Sequence, residues 1–231
     1  MISLDMQLTL GEISAELLTE KALFLPAFSA LVIADLHFGK VNHFRRSGLP
    51  VPSAVNKKNA ERLIDLVNSK KPQRTIFLGD LFHSHYNDDW EVVGQIVNNF
   101  SSCKFELVRG NHDILSEQQY RRQGITVTER DEVGPFILTH EPLERGVIPE
   151  GHINLAGHLH PGARLVGKGR QSLMFSCFWC SENQIVLPAF GSFTGLAAVR
   201  PIELDRVYII IEGKIMEIAP EQKQRRQQIL P

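Results

Sequence analysis

Long apolar runs, a cysteine framework and an excess of charge of either sign are all missing from this sequence of 231 residues. No stretch approaches the roughly 20 consecutive apolar residues that a bilayer-spanning helix needs, so a membrane protein of that kind is excluded. Three cysteines, Cys103, Cys177 and Cys180, are too few for a disulfide scaffold and fit a reducing, cytoplasmic setting. The formal net charge is −1, so any attraction to nucleic acid must come from a local basic patch. The opening MISLDMQLTL carries an acid and no basic segment ahead of its apolar residues, unlike a secretory signal. Internal repeats and low-complexity segments are absent as well. What is present is an ordinary globular composition, 43% hydrophobic and 22% charged, in a chain long enough for a substantial core. Residues 1–220 read as one domain, and 221–231, EQKQRRQQILP, as a polar and solvated tail.

Short apolar runs alternate with helical patterns over the first two-thirds. Leu31–Ala34, Ile76–Leu78, Leu107–Val108, Phe136–Leu138 and Ile153–Ala156 read as buried strands. One amphipathic helix follows Pro52-Ser53, with Ser53 as its cap and Val55, Leu63, Ile64 and Val67 on one face. A second starts near Asp88 and carries Trp90, Val93, Ile96, Val97 and Phe100. A third opens at Ser116, has Gln119 where a capping box wants it, and stops at Gly124. This alternation predicts a sheet with much parallel pairing. From Gly162 onward, Ala163–Val166, Leu173–Phe178, Ile185–Phe190, Val207–Ile211 and Lys214–Ile218 predict a second, more antiparallel sheet packed on the first. The expected architecture is an α/β two-sheet sandwich with helices outside.

Each of the five early strands ends in a polar cluster. These are Asp35-Leu36-His37, Gly79-Asp80, Gly110-Asn111-His112-Asp113, His140-Glu141 and Gly157-His158-Leu159-His160. In open α/β sheets the site lies beyond the carboxyl ends of the strands, where all five fall. Carboxylate oxygen, amide oxygen and imidazole nitrogen together are the ligand set of hard to borderline divalent metals. A lone D-x-H, G-D or T-H-E arises often by chance, and Gly110–Asp113 or G-H-x-H by itself is only suggestive. All five, in order and each after a strand, do not arise by chance.

Those residues resemble the signature of the calcineurin-like metallophosphoesterase superfamily, D-x-H, G-D, G-N-H-[DE], H and G-H-x-H, complete from Asp35 to His160. The resemblance implies an αββα sandwich and two divalent cations, Mn²⁺ first, with Fe²⁺ or Zn²⁺ as alternatives. It implies one metal held by Asp35, His37, Asp80 and His160, and another by Asp80, Asn111, His140 and His158, with Asp80 bridging. His112 is left as the acid/base residue, and Asn111 also donates its amide N–H to the developing anionic oxygens. Asp113 either orients the His112 imidazole or caps the turn that follows.

The later segments His160–Leu165, Cys177-Phe178-Trp179 and Leu187–Gly195 are similar to the ligase-associated DNA damage response endonucleases of the PdeM family. That similarity implies a phosphodiester substrate in DNA, a repair context, and functional association with a DNA ligase or helicase. Within the enzyme class the alternative is a phosphodiesterase for cyclic nucleotides or nucleotide pyrophosphates. A metal-free interaction scaffold would have lost ligands, and none is lost here.

Several neighbours of the motifs carry weaker signals. Arg45 and Arg46, with His43 and Lys40, follow the first motif in a Gly/Pro-bounded loop and are candidate grips for substrate phosphates, alongside Arg164, Lys168 and Arg170. His83 and His85 either reach substrate or are polar loop histidines. Cys177 and Cys180 form a C-x-x-C inside a strand pattern, where residues three apart face opposite sides, so core packing is expected instead of zinc or redox chemistry.

Overall fold

The computed structural model describes residues 4–39, 54–83, 88–144, 146–167, 171–192 and 194–218. Two β-sheets face each other across a shared core. The first contains β1 (Met6–Leu10), β2 (Ile13–Leu18), β3 (Ala22–Leu25), β4 (Ala30–Ala34), β5 (Arg74–Leu78), β6 (Lys104–Val108) and β7 (Ile125–Thr128), in that spatial order. β1 to β4 form an antiparallel meander, and β4 to β7 run parallel. Parallel neighbours need crossovers, which α1 (Ala54–Lys70), α2 (Asp88–Asn99) and α3 (Glu117–Arg122) supply in turn.

The continuous apolar run of β4 follows from burial on both faces. Leu31 and Ile33 pack under the helices with Leu63, Val67 and Trp90. Val32 and Ala34 point the other way, toward Phe136, Leu138 and Leu155 of the second sheet. Gln119 accepts a hydrogen bond of 2.9 Å from the Ser116 N–H and so closes the start of α3, while Gly124, at φ +79°, lies just past its end. Ser53 lies outside the described residues.

The second sheet contains β8 (Asp131–Val133), β9 (Phe136–Leu138), β10 (Ile153–Ala156), β11 (Pro161–Val166), β12 (Ser172–Ser181), β13 (Gln184–Val186), β14 (Ala197–Ala198), β15 (Arg206–Ile211) and β16 (Lys214–Ile218). Its main path runs β14-β11-β12-β13-β10-β9-β8, with β15 against β12 and β16 against β15. The sandwich is thus present, but its seam falls earlier than the change of pattern at Gly162. β9 and β10, which carry the fourth and fifth motifs, belong to the second sheet and pair in parallel there. β1 to β3 were not anticipated, because a segment rich in Leu, Ala and Glu has little intrinsic strand preference and is a sheet only by pairing. Among the described residues the helices cover the first sheet alone. The outer face of the second carries a small cluster of Ala163, Cys177, Val207 and Ile209.

Cys177 belongs to that outer cluster, whereas Cys180 lies between the sheets with Phe178 and Tyr208. The two thiols therefore face opposite sides of β12, as strand geometry requires. Burial pushes both up to about 12. Raised in this way, they stay protonated at pH 8, and the thiolate is the reactive form. In the native protein a thiol-titrating reagent at pH 8 should therefore leave Cys177 and Cys180 unmodified over a period in which all three cysteines of the denatured chain react fully. Fast native labelling of either, read by mass spectrometry, would contradict this packing.

Candidate metal centre

The five polar clusters leave the carboxyl ends of β4, β5 and β6 in one sheet and of β9 and β10 in the other. Their backbones are laced together. Asp35 N–H donates to Gly79 O (3.3 Å), His37 N–H to Asp80 O (2.8 Å), Phe38 N–H to Leu81 O (2.9 Å) and Gly157 N–H to His140 O (2.9 Å). The chain after β13 ties the sheets to each other. Phe190 N–H donates to Ala34 O (2.8 Å) and Gly191 N–H to Asp35 O (3.0 Å).

Asp35, His37, Asp80, His158 and His160 all have left-handed backbones, with φ of 53°, 50°, 50°, 66° and 47°. Each such residue costs about 1–3 kcal/mol, and it persists only where surrounding structure enforces it. Asp and His tolerate the region better than most side chains. The close approach of the loops also demands glycine at 79 and 110. A Cβ at Gly110 would overlap the Asp80 amide nitrogen and lie 2.5 Å from its Oδ1, and one at Gly79 would overlap the His140 ring.

The side chains converge accordingly. Asp35, His37 and His160 each place a donor atom within 4.8 Å of the others, and so do Asp35, Asp80 and His140. Asp35 is the member common to both triads. The Asp80 carboxylate nevertheless faces both halves, with Oδ2 3.7 Å from His37 Nε2 and Oδ1 3.5 Å from His140 Nε2. His140 Nε2 lies 3.0 Å from Asn111 Oδ1 and 3.0 Å from His158 Nδ1, and His37 Nε2 lies 3.3 Å from His160 Nε2. Depth is graded. Asp35, Asp80, His37 and His140 are buried, His112, His158 and His160 are half-buried, and Asn111 is exposed at the mouth.

Of the remaining candidates, Asp113 is buried and spent on the backbone. It accepts from Gly110 N–H (2.9 Å), Phe82 N–H (3.2 Å) and the Tyr120 hydroxyl (3.2 Å), joining the second and third motif loops. None of these donors is the His112 ring or lies in the turn that follows; the carboxylate instead closes its own turn, 110–113, and bridges it to the second motif loop. Burial, with the Asp80 charge adding to it, holds its carboxyl up at about 6 in spite of those donors. The His112 ring lies 3.9 Å from that of His83 and 5.8 Å from that of His37, centroid to centroid, so His83 is at the centre's edge. Arg45 and Arg46 lie outside the described residues, as do Lys40, His43, His85, Lys168 and Arg170. Arg164 is exposed on β11.

A model of the family described as calcineurin-like phosphoesterase matches residues 28–164, which contain every one of these clusters. The chain belongs to that family. The crystal structure of the Pseudomonas putida nuclease MPE is similar over 93% of this chain and 100% of that one, at 30% identity and a TM-score of 0.77. YfcE, a phosphoesterase from E. coli, is 17% identical over 82% of this chain and 98% of its own, with a TM-score of 0.46. No curated protein matches.

Calcineurin-like phosphoesterases use divalent metals, and the donor set of this member fits them. Asp35 Oδ1 is buried with no hydrogen-bond donor among the described residues. Around it crowd oxygen and imidazole lone pairs with few protons to share, an environment that a cation satisfies. Sequence reasoning missed the backbone role of Phe190 and Gly191. The signal was the glycine at 191, whose purpose shows only when it lies against Asp35.

Asp113→Ala should cost about 3 kcal/mol or more in urea unfolding of the metal-free protein, since it strands three buried donors at about 1–3 kcal/mol each. Tyr120→Phe removes one of the three and should cost about 1 kcal/mol. Equal costs would show that these backbone bonds are not what Asp113 contributes.

Proposed function

We propose that this calcineurin-like phosphoesterase is a two-metal phosphodiesterase acting on nucleic acid. Asp35, His37, Asp80, Asn111, His140, His158 and His160 would hold the ions, Mn²⁺ first among them. The observation that carries this reading is the Asp80 carboxylate, whose two oxygens face His37 on one side and His140 on the other. A shared carboxylate of this kind is how two cations are kept at a working separation of about 3.5–4 Å. The similarity to a P. putida nuclease over 93% of the chain supports a nucleic-acid substrate. Resemblance to the PdeM endonucleases favours DNA, a repair setting in the cytoplasm, and work beside a ligase or helicase.

When bound, the cations supply Lewis-acid charge for the phosphoryl oxygens and for an attacking water. The chain's own residues do the rest. Asn111, exposed at the mouth with its Oδ1 turned to His140, keeps its amide N–H groups free to meet a phosphoryl oxygen as charge develops there. The His112 N–H donates to Asp80 Oδ1 (3.0 Å), which fixes the backbone of this half-buried residue against the floor of the site. From there the His112 imidazole protonates the leaving oxygen. Its neighbour His83 packs ring against ring and touches substrate from the same side. Arg45 and Arg46 grip the flanking phosphates.

Four outcomes are expected. Asp80→Ala should lose both ions in metal analysis, and full occupancy would sink the shared-carboxylate assignment. His112→Ala should keep its metals and lose rate, steeply for an alkyl leaving group and mildly for nitrophenolate, which needs little protonation. Across Mn²⁺-loaded assays of oligonucleotides, cyclic nucleotides and small diesters, oligonucleotides should be cleaved fastest. Neutralising Arg45 and Arg46 together should depress oligonucleotide cleavage much more than cleavage of a small chromogenic diester. Faster turnover of a cyclic nucleotide would replace this substrate assignment.

A further inference from the structure

The segment Ala34–Phe38, which carries the first motif, is held from two sides. On one side it donates to the second motif loop, at Gly79, Asp80 and Leu81. On the other, Ala34 O and Asp35 O accept from Phe190 and Gly191. This second side is a strap of three residues, Phe190, Gly191 and Ser192, that has left β13 and, among the described residues, has no strand beyond it in the first sheet. It is pressed so close that a Cβ on Gly191 would lie 2.7 Å from Leu36 O.

A strap with no strand on its outer side must be fastened by side chains, and two from α1 do this. Arg62 Nη2 donates to Phe190 O (2.5 Å) and to Glu20 O (3.3 Å), and Nη1 lies 3.4 Å from Ser192 Oγ. The same guanidinium stacks 3.9 Å from the Phe190 ring centroid. Asn59, itself 3% exposed, accepts from Ser192 N–H (3.3 Å) and from the Ser192 hydroxyl (2.7 Å). Gly191 O is taken by the Thr194 hydroxyl (3.1 Å). Every backbone polar group from Phe190 N to Ser192 N is thereby paired, either inward to the first motif or outward to a side chain. The forked, planar donor set of arginine suits two carbonyls and a ring at once, which a lysine does not match. Burial depresses Arg62 to about 10, so the charge sits there at a cost and not for solubility.

We infer that Arg62 and Asn59 are positioning residues for the metal centre, fastening the Phe190–Ser192 strap that holds Asp35 in its left-handed conformation. The inference rests on the reading of Asp35 and His37 as metal ligands. Loosening the strap leaves both sheets and the helices intact but lets Asp35 relax out of register with His160 and Asp80. The expected lesion is therefore in metal affinity and in kcat, not in KM.

The test is calorimetric titration of the full chain with Mn²⁺, beside metal-free thermal unfolding. Arg62→Met keeps the stem over Phe190 and deletes the donors, and Asn59→Ala deletes the acceptor. Each should weaken Mn²⁺ binding tenfold or more and lower kcat with little change in KM, and saturating Mn²⁺ should restore most of kcat. Leu63→Ala, a buried core lesion on the same helix, should lower the unfolding midpoint at least as much while binding Mn²⁺ within about twofold of the unaltered chain. Should Arg62→Met fail to fold, Asn59→Ala and Ser192→Ala carry the test, because the latter removes one hydroxyl alone. Unchanged affinity in the strap variants, or an equal loss in Leu63→Ala, overturns this inference by itself. Absence of Mn²⁺ binding by the unaltered chain overturns the two-metal reading and this inference with it.

Discussion

Two buried carboxylates at the ends of adjacent parallel strands set the terms for the rest of the structure. Asp35 and Asp80 are both removed from water, and among the described residues each has only one backbone amide donating to it, His158 N–H and His112 N–H respectively. Burying an ionised carboxylate is expensive unless it is paired or coordinates a metal. Two placed together, ringed among the described residues by imidazoles and not by arginines or lysines, leave a large demand for positive charge. The geometry around them reads as provision for that demand.

The backbone bears the consequence. To turn five polar side chains into one space, the chain adopts left-handed conformations at five residues that would each prefer to avoid them. Enforcing those conformations takes interlocking restraint. The second motif loop braces the first, Asp113 ties the second to the third, and the strap after β13 closes the assembly from the opposite sheet. Glycines stand where these loops touch because a Cβ there would displace the His140 ring or the Asp80 carboxylate. The helices contribute indirectly, through residues such as Arg62 and Tyr120 that reach from the outer layer into the loops.

Division of labour between the sheets follows from topology. β4, β5 and β6 deliver the deep carboxylates and the His112 turn, while β9 and β10 deliver three histidines across the gap. A site assembled from two sheets is only as well defined as their relative placement, and the core between them supplies that through Val32, Ile76, Leu78, Phe136, Leu138 and Phe178. The hydrogen bonds from Phe190 and Gly191 then fix the last degree of freedom at the rim.

Much of this was legible in the chain itself. Buried strands such as Leu31–Ala34 and Ile76–Leu78 announce themselves because continuous apolar runs bounded by glycine and polar residues have few other uses. The helices from Asp88 and from Ser116 were equally plain, because spacing and capping are local properties. The polar clusters could be read for the same reason: each sits directly after its strand, and metal chemistry restricts which residue types can appear. Other features depend on residues far apart in sequence meeting in space. β1 to β3 are strands only because they pair, and β9 and β10 join the second sheet because their apolar faces meet Val32 and Leu78 across the gap. No local pattern tells Arg62 that it will cap a carbonyl 128 residues away, or Gly191 that it must fit against Leu36. The sequence alone determined which polar side chains stand at the strand ends. Only tertiary packing decided how they are held, because left-handed backbones and buried charge are stable solely in the company of the contacts that enforce them.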